Sequence, residues 1–159
     1  MPINSTSSKN NTIETPLIVV KHCLESMDIK ETDNVLDCCA GLNKIWYDNL
    51  NCKKDYCEIL EGIDFMNYSK ETDYIIGNLP FNIFKKFFNK ILHLNPNKGI
   101  GIICLEHSIT PNRLLLLQKK GFYIEKIIKL KIKEWKFGFN VNFYFFLKKK
   151  NETISVLVC

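Results

Sequence analysis

The stretch Tyr74-Ile75-Ile76-Gly77-Asn78-Leu79-Pro80-Phe81 constrains this chain more than any other. Its apolar start, just after Asp73, reads as a strand buried on both faces, the kind found inside a parallel sheet. The run stops at Gly77, and Pro80 restricts the backbone of Leu79 before it. Asn78-Leu79-Pro80-Phe81 is therefore a stiff corner, with an amphipathic helix predicted over residues 82–92. In an open α/β sheet such a corner lies at the carboxyl end of a strand, where ligands bind. An amide, a fixed carbonyl and an aromatic ring meet there, a combination suited to holding an exocyclic amino group.

The remaining chain alternates strand and helix signals. Thr15-Pro16 predicts a helix start, with Thr15 as N-cap and Pro16 at the first helical position. Leu17, Val20, His22, Leu24 and Met27 supply its apolar stripe as far as Asp28. Strands are predicted over residues 34–38, 55–60, 63–65, 74–77, 100–105, 122–132 and 141–147. Helices are predicted over 44–50, 82–92 and 111–120, the last ended by Gly121. Alternating elements followed by two adjacent strands imply an α/β sheet ending in an antiparallel pair. Residues 1–13 read as a flexible arm, 14–150 as one domain, and 151–159 as an apolar tail that adds an edge strand or a contact surface.

Composition narrows the partners. A chain of 159 residues is one domain with room for a substantial core. The net charge of +5 permits a polyanionic partner. Lysines gather after the corner (Lys85, Lys86, Lys90), in a late segment (Lys126, Lys129, Lys131, Lys133, Lys136) and at Lys148-Lys149-Lys150. Such runs are commonly solvated faces, but beside a base pocket they suit nucleic acid. Seven cysteines without paired spacing suit a reducing compartment, and no metal site is expected. No apolar run reaches the ~20 residues of a membrane span. The polar N-terminus has no signal-peptide core, so an intracellular location, cytoplasmic or nuclear, is expected, and the Asn151-Glu152-Thr153 sequon carries no weight.

Four motifs carry chemistry. Asp37-Cys38-Cys39-Ala40-Gly41-Leu42-Asn43 is a small-residue turn that lets a ligand approach the backbone, with Asp37 available for an ammonium group. A dinucleotide fingerprint would have further glycines; here Asn43, which tolerates positive φ, stands in for one. An ordinary sharp turn accounts for the same residues. Glu58 follows Gly41 by 17 positions, near the ~20-residue offset at which an acid meets ribose hydroxyls. Asp64-Phe65 offers a carboxylate and a ring to an adenine, although Phe65 serves equally as core. At the corner, the Asn78 side-chain oxygen and the Leu79 carbonyl would accept the hydrogens of an adenine amine. That favours the tetrahedral, more nucleophilic nitrogen, with Phe81 stacking on the base.

Asp37 to Gly41, Glu58, Asp64-Phe65 and Asn78-Leu79-Pro80-Phe81 together resemble the successive motifs of class I S-adenosylmethionine-dependent methyltransferases. The tetrapeptide resembles the corner of their amino-methylating branch. Thr15-Pro16 and Phe137-Gly138-Phe139 resemble compact bacterial and viral adenine-N6 DNA methyltransferases. The resemblance implies a single Rossmann-like domain with helices on both faces of a mostly parallel sheet. It implies S-adenosyl-L-methionine as cofactor, held by Thr15, Pro16, Asp37, Gly41, Glu58, Asp64, Phe65 and Asn78. It implies Asn78, Leu79, Pro80 and Phe81 as catalytic residues acting on adenine N6 in nucleic acid, DNA favoured. Leu79 with Asn82-Ile83 also resembles the ribosomal-RNA adenine dimethyltransferases, which keeps RNA as an alternative. Methylation of a protein glutamine amide, or a weakly active subunit that only binds nucleic acid, are the others. No separate target-recognition domain fits in this length, so recognition would come from a protein partner, a second copy, an inserted loop or the substrate itself.

Overall fold

The computed structural model describes residues 14–131, 140–148 and 155–158. Its strands are β1 (Asn34–Asp37), β2 (Lys53–Tyr56), β3 (Tyr74–Asn78), β4 (Gly99–Leu105), β5 (Tyr123–Leu130), β6 (Val141–Leu147) and β7 (Ser155–Val158). Its α-helices are α1 (Leu17–Glu25), α2 (Ile45–Asp48), α3 (Phe84–Leu94) and α4 (Pro111–Lys119). One sheet runs in the order β2-β1-β3-β4-β6-β5-β7. Strands β1 to β4 are mutually parallel, β6 is antiparallel to both β4 and β5, and β7 lies parallel to β5. The fold class expected from the sequence is the one observed.

Alternation along the strands builds a core on each face. Leu36, Ile75, Ile100, Ile102, Tyr144 and Phe146 meet Phe84, Phe88 and Ile91 of α3 and Leu117 of α4. Val35, Tyr74, Ile76, Ile103, Phe143 and Phe145 meet Val19, Val20 and Cys23 of α1 and Trp46 of α2. Gly101 leaves room for the Met27 side chain on the second face: a β-carbon there would lie 2.6 Å from the Met27 sulfur, and that side chain would have to shift.

Several boundaries differ from the sequence-based expectation. Thr15 is not the N-cap of α1; Pro16 is, and its carbonyl accepts from the Val19 and Val20 amides at 3.0 and 3.1 Å. The helix ends at Glu25, short of Asp28. Its buried face is Val19, Val20 and Cys23, continued by Met27, while Leu17 and Ile18 are exposed. β2 stops at Tyr56 rather than residue 60, because the Glu58 carboxylate accepts from the Leu60 amide at 2.9 Å and turns the chain. The strand expected over 63–65 is absent. Asp64 accepts from the Met66 amide at 2.9 Å and caps a 3-10 turn, Phe65–Asn67, leaving only an isolated bridge between Ile63 and Glu58. In both places a side-chain acceptor competes with the sheet ladder. Another 3-10 turn, Phe81–Ile83, precedes α3.

The end of α4 follows expectation: Gly121 takes φ 87°, and the Phe122 amide returns to the Leu117 carbonyl at 3.0 Å. The tail supplies an edge strand, β7. The N-terminal arm, Lys133, Lys136, Phe137-Gly138-Phe139, Lys149, Lys150 and the Asn151 sequon lie outside the described residues. Among those described, no helix is long and apolar enough to cross a membrane.

Candidate active site

After β1 the chain moves to β2 on one side, and after β3 it moves to β4 on the other. The carboxyl ends of β1 and β3 therefore flank a crevice, the position at which open α/β sheets bind ligands. A cavity of about 390 Å³ occupies it. Three segments wall it: the turn after β1, residues 57–66 after β2, and the corner after β3. Of the sequence-chosen residues, Thr15, Gly41, Glu58, Asp64, Phe65, Asn78, Leu79, Pro80 and Phe81 line this cavity. Pro16 and Asp37 do not.

The turn is fixed by backbone bonds to its neighbours. The Cys38 amide donates to Ile76, Ala40 to Cys57, and Cys57 to Asp37, each at 2.9 Å. Gly41 takes φ 69°. The second left-handed residue is not Asn43, as expected, but Lys44, at φ 48° and ψ 38°. Asp37 is completely buried beneath the turn. Its Oδ1 lies 3.4 Å from the Cys39 amide, and its Oδ2 has no donor at hydrogen-bond distance. Burial raises its pKa to about 7 against the pull of the Cys39 and Tyr47 amides, with the Glu58 charge adding to the rise. Asp37 thus lies beneath the turn, outside the lining of the cavity.

The corner is tied to the turn and to α1. The Asn78 amide nitrogen donates to Thr15 Oγ1 at 3.2 Å, and the Asn78 carbonyl accepts from the Cys39 thiol at 3.0 Å. The Asn78 side-chain oxygen is buried without a donor. An unpaired buried acceptor is costly, about 1–3 kcal/mol, and its survival at a cavity invites a ligand hydrogen. Gly77 makes the junction possible: at φ 154°, a β-carbon would lie 2.9 Å from the Cys39 sulfur and 3.2 Å from that of Cys38. Leu79 points its side chain into the core at 1% exposure, and its amide donates to Ile103 at 3.0 Å. Leucine here packs in the core while also lining the cavity.

Glu58 and Asp64 each commit one oxygen to a local amide, Leu60 and Met66 respectively, which fixes both carboxylates at the wall. Phe65 is both core and wall, its ring 5.2 Å from Phe87. Sequence reasoning missed Trp46, Cys57, Ile59 and Phe87 as wall residues. Trp46 stacks on Phe143 at 6.2 Å and leaves its buried indole N–H unpaired. A lone tryptophan two residues into a four-residue helix carries no periodic signal. Cys57 is held protonated by burial, its pKa pushed up to about 12.

The lysines divide by role. Lys126 donates to the Ser26 carbonyl at 2.9 Å, Lys148 to Asn95 at 2.7 Å, and Lys129 lies 3.7 Å from Glu106. Lys85 and Lys86 are exposed beside the corner, and Lys86 lines the cavity.

No family model and no curated protein sequence matches the chain. Solved structures do match. The 23S rRNA methyltransferase ErmE superposes with TM-score 0.61 at 11% identity, over 86% of this chain and 70% of that one. The type I restriction enzyme EcoKI M protein gives 0.64 at 13% identity, over 87% of this chain and 44% of that one. Magnesium protoporphyrin IX methyltransferase from Synechocystis, a structure with bound S-adenosylmethionine, gives 0.61 at 11%, over 83% and 77%. The chain spans less than half of the EcoKI subunit. Its fold is that of the class I S-adenosylmethionine-dependent methyltransferases.

Proposed function

We propose that the chain binds S-adenosyl-L-methionine in this cavity and methylates the exocyclic N6 amine of adenine in nucleic acid, with DNA favoured. The observation that carries the reading is the buried, donorless side-chain oxygen of Asn78, at a cavity it shares with Gly41, Glu58 and Asp64. The residues present fit the donor. The Gly41 turn admits its methionine end beside Thr15, Glu58 suits the ribose hydroxyls, and Asp64 with Phe65 suits the adenine. When bound, the donor supplies an electrophilic methyl group on a sulfonium.

The chain's own residues prepare the acceptor. An adenine amine is a poor nucleophile because its lone pair is delocalised into the ring. Asn78 Oδ1 and the Leu79 carbonyl accept its hydrogens and stabilise the positive charge that develops on nitrogen. Thr15 holds the amide of Asn78 so that its oxygen stays an acceptor. Phe81 stacks on a base that is unpaired or flipped out. Lys85 and Lys86 offer the backbone phosphates positive charge. Structural neighbours that are an rRNA methyltransferase and a type I restriction enzyme M protein support a nucleic-acid substrate, and the first keeps RNA as the second reading.

The test is labelled-donor binding followed by transfer to DNA, RNA and protein pools, with Asn78→Ala alongside. Wild-type protein is expected to bind the donor and form N6-methyladenine in DNA. Asn78→Ala should lose about 10²–10³-fold in rate while keeping its fold. Failure to bind donor at millimolar concentration sinks the reading, and full activity in Asn78→Ala sinks the role of the corner. Methylation of RNA alone selects the second reading. Nucleic-acid binding without any transfer would mark a binding subunit.

A further inference from the structure

The turn after β1 contains an expensive choice. Lys44 adopts left-handed backbone dihedrals, a conformation that a β-carbon disfavours and that glycine or asparagine accepts readily. Asparagine stands one position earlier, at 43, where the backbone does not need it. A non-glycine residue held in this region survives when its surroundings over-determine it, and such residues gather at ligand sites. For Lys44 the surroundings are specific. Its ammonium lies 2.6 Å from Glu61 Oε1, across 17 residues of sequence, and 4.9 Å from the centroid of the Tyr56 ring. The pair lies at the surface, with side-chain exposures of 25% and 31%.

The contact joins two walls of the cavity. Lys44 ends the segment holding Gly41, Leu42 and Asn43. Glu61 sits within the loop holding Glu58, Ile59 and Ile63, all of them cavity residues. That loop is wound tightly on itself, with the amides of Glu61 and Ile63 donating to the Glu58 carbonyl and that of Gly62 to Ile59, each at 3.0 Å. Backbone bonds between Ala40, Asp37 and Cys57 already tie its base to the turn, and the Lys44–Glu61 pair adds a side-chain tie at its far side. Tyr56, at the end of β2, gives the ion pair a floor.

We propose that Lys44 and Glu61 form a clasp that holds the Gly41 turn and the Glu58 loop at the spacing the donor requires. This rests on the reading that the cavity takes S-adenosyl-L-methionine. Neither residue lines the cavity, so both are positioning residues. The lysine replaces conformational ease at position 44 with a bond between walls. An ion pair this close to solvent adds little to global stability. Its effect lies in pre-organising a cavity that would otherwise be ordered at the expense of binding.

The test uses the full chain and four variants: Lys44→Ala, Lys44→Gly, Glu61→Gln, and the double exchange Lys44→Glu with Glu61→Lys. Donor affinity is measured by calorimetry, and amide exchange at residues 60–63 is measured without donor. The three single variants should bind donor more weakly, on the order of tenfold, with faster exchange at those amides and little change in melting temperature. In turnover, the loss should fall on the donor KM with kcat nearly kept. Lys44→Gly is decisive, because it relieves the backbone while cutting the tether. The double exchange should recover most of the affinity. If wild-type protein binds donor and Lys44→Gly and Glu61→Gln bind equally well, the clasp is overturned and the functional reading stands. If wild-type protein does not bind donor, the functional reading falls. Amide exchange then decides the clasp alone, unchanged rates overturning it.

Discussion

Two neighbouring regions of the sheet treat polar groups differently. Around β1 and β3, Asp37 Oδ2, Asn78 Oδ1 and the Trp46 indole N–H are buried without partners. Around β4 and β6, a buried polar set is closed: Asn142 donates to the Tyr144 hydroxyl at 3.1 Å, which donates to the Glu106 carbonyl at 3.0 Å. One further unpaired buried side-chain atom among the described residues, Glu125 Oε2, sits where β5 slips register against β6. Buried polar groups in native proteins are nearly always satisfied. Of the three open groups, those of Asn78 and Trp46 belong to residues that line the cavity, whereas the β4–β6 network closes on itself.

That contrast can be broken at four places. The largest effect is expected in the packed β4–β6 region. Phe143 is fully buried between the sheet and Trp46, and Phe143→Ala should lower unfolding free energy by about 3–5 kcal/mol, read by denaturant titration. Next is Asp37, whose folded pKa of about 7 stands above its ordinary 3.8. A raised carboxyl pKa means that stability is fully present below about pH 4, falls as pH rises toward 7, and is flat above that. Asp37→Asn removes the slope, so the variant should gain about 2–4 kcal/mol over wild type at pH 8 and nothing at pH 4. A constant difference across that range would refute the assignment.

The last two places oppose one asparagine to the other. Asn142→Ala opens a closed network and strands the Tyr144 hydroxyl's acceptor position, and should cost about 1–3 kcal/mol. Asn78→Ala removes an oxygen that already lacks a donor and loses one bond to Thr15. These two terms oppose each other, so its effect on stability should be about 1 kcal/mol or less, while the proposed transfer should fall. Equal losses in the two variants, measured in parallel melts, would erase the distinction between the two regions.

Much of this was legible in residues taken one at a time. Pro80 and Gly77 announced a corner after a buried strand, Gly121 the end of α4, and Glu58 and Asp64 acids one βα unit beyond a small-residue turn. What failed did so because side-chain bonds, short-range or long-range, are invisible to periodicity. Glu58 and Asp64 each capture a nearby amide and convert predicted strand into turn. Thr15 reads as a cap by type, yet its hydroxyl is committed to Asn78, 63 residues away.

The sequence by itself determined the layering of this protein, because alternating apolar residues must be buried on both faces of a sheet and helices of limited length must cover them. It also determined the corner, because proline and glycine restrict the backbone wherever they stand. Only the tertiary structure decided what each polar group does. Asp37 became a buried prop, Leu79 a core residue, Lys44 a tether and Asn78 an acceptor with no donor. Those roles depend on which distant atoms come within 3 Å, and that distance exists only once the chain has closed.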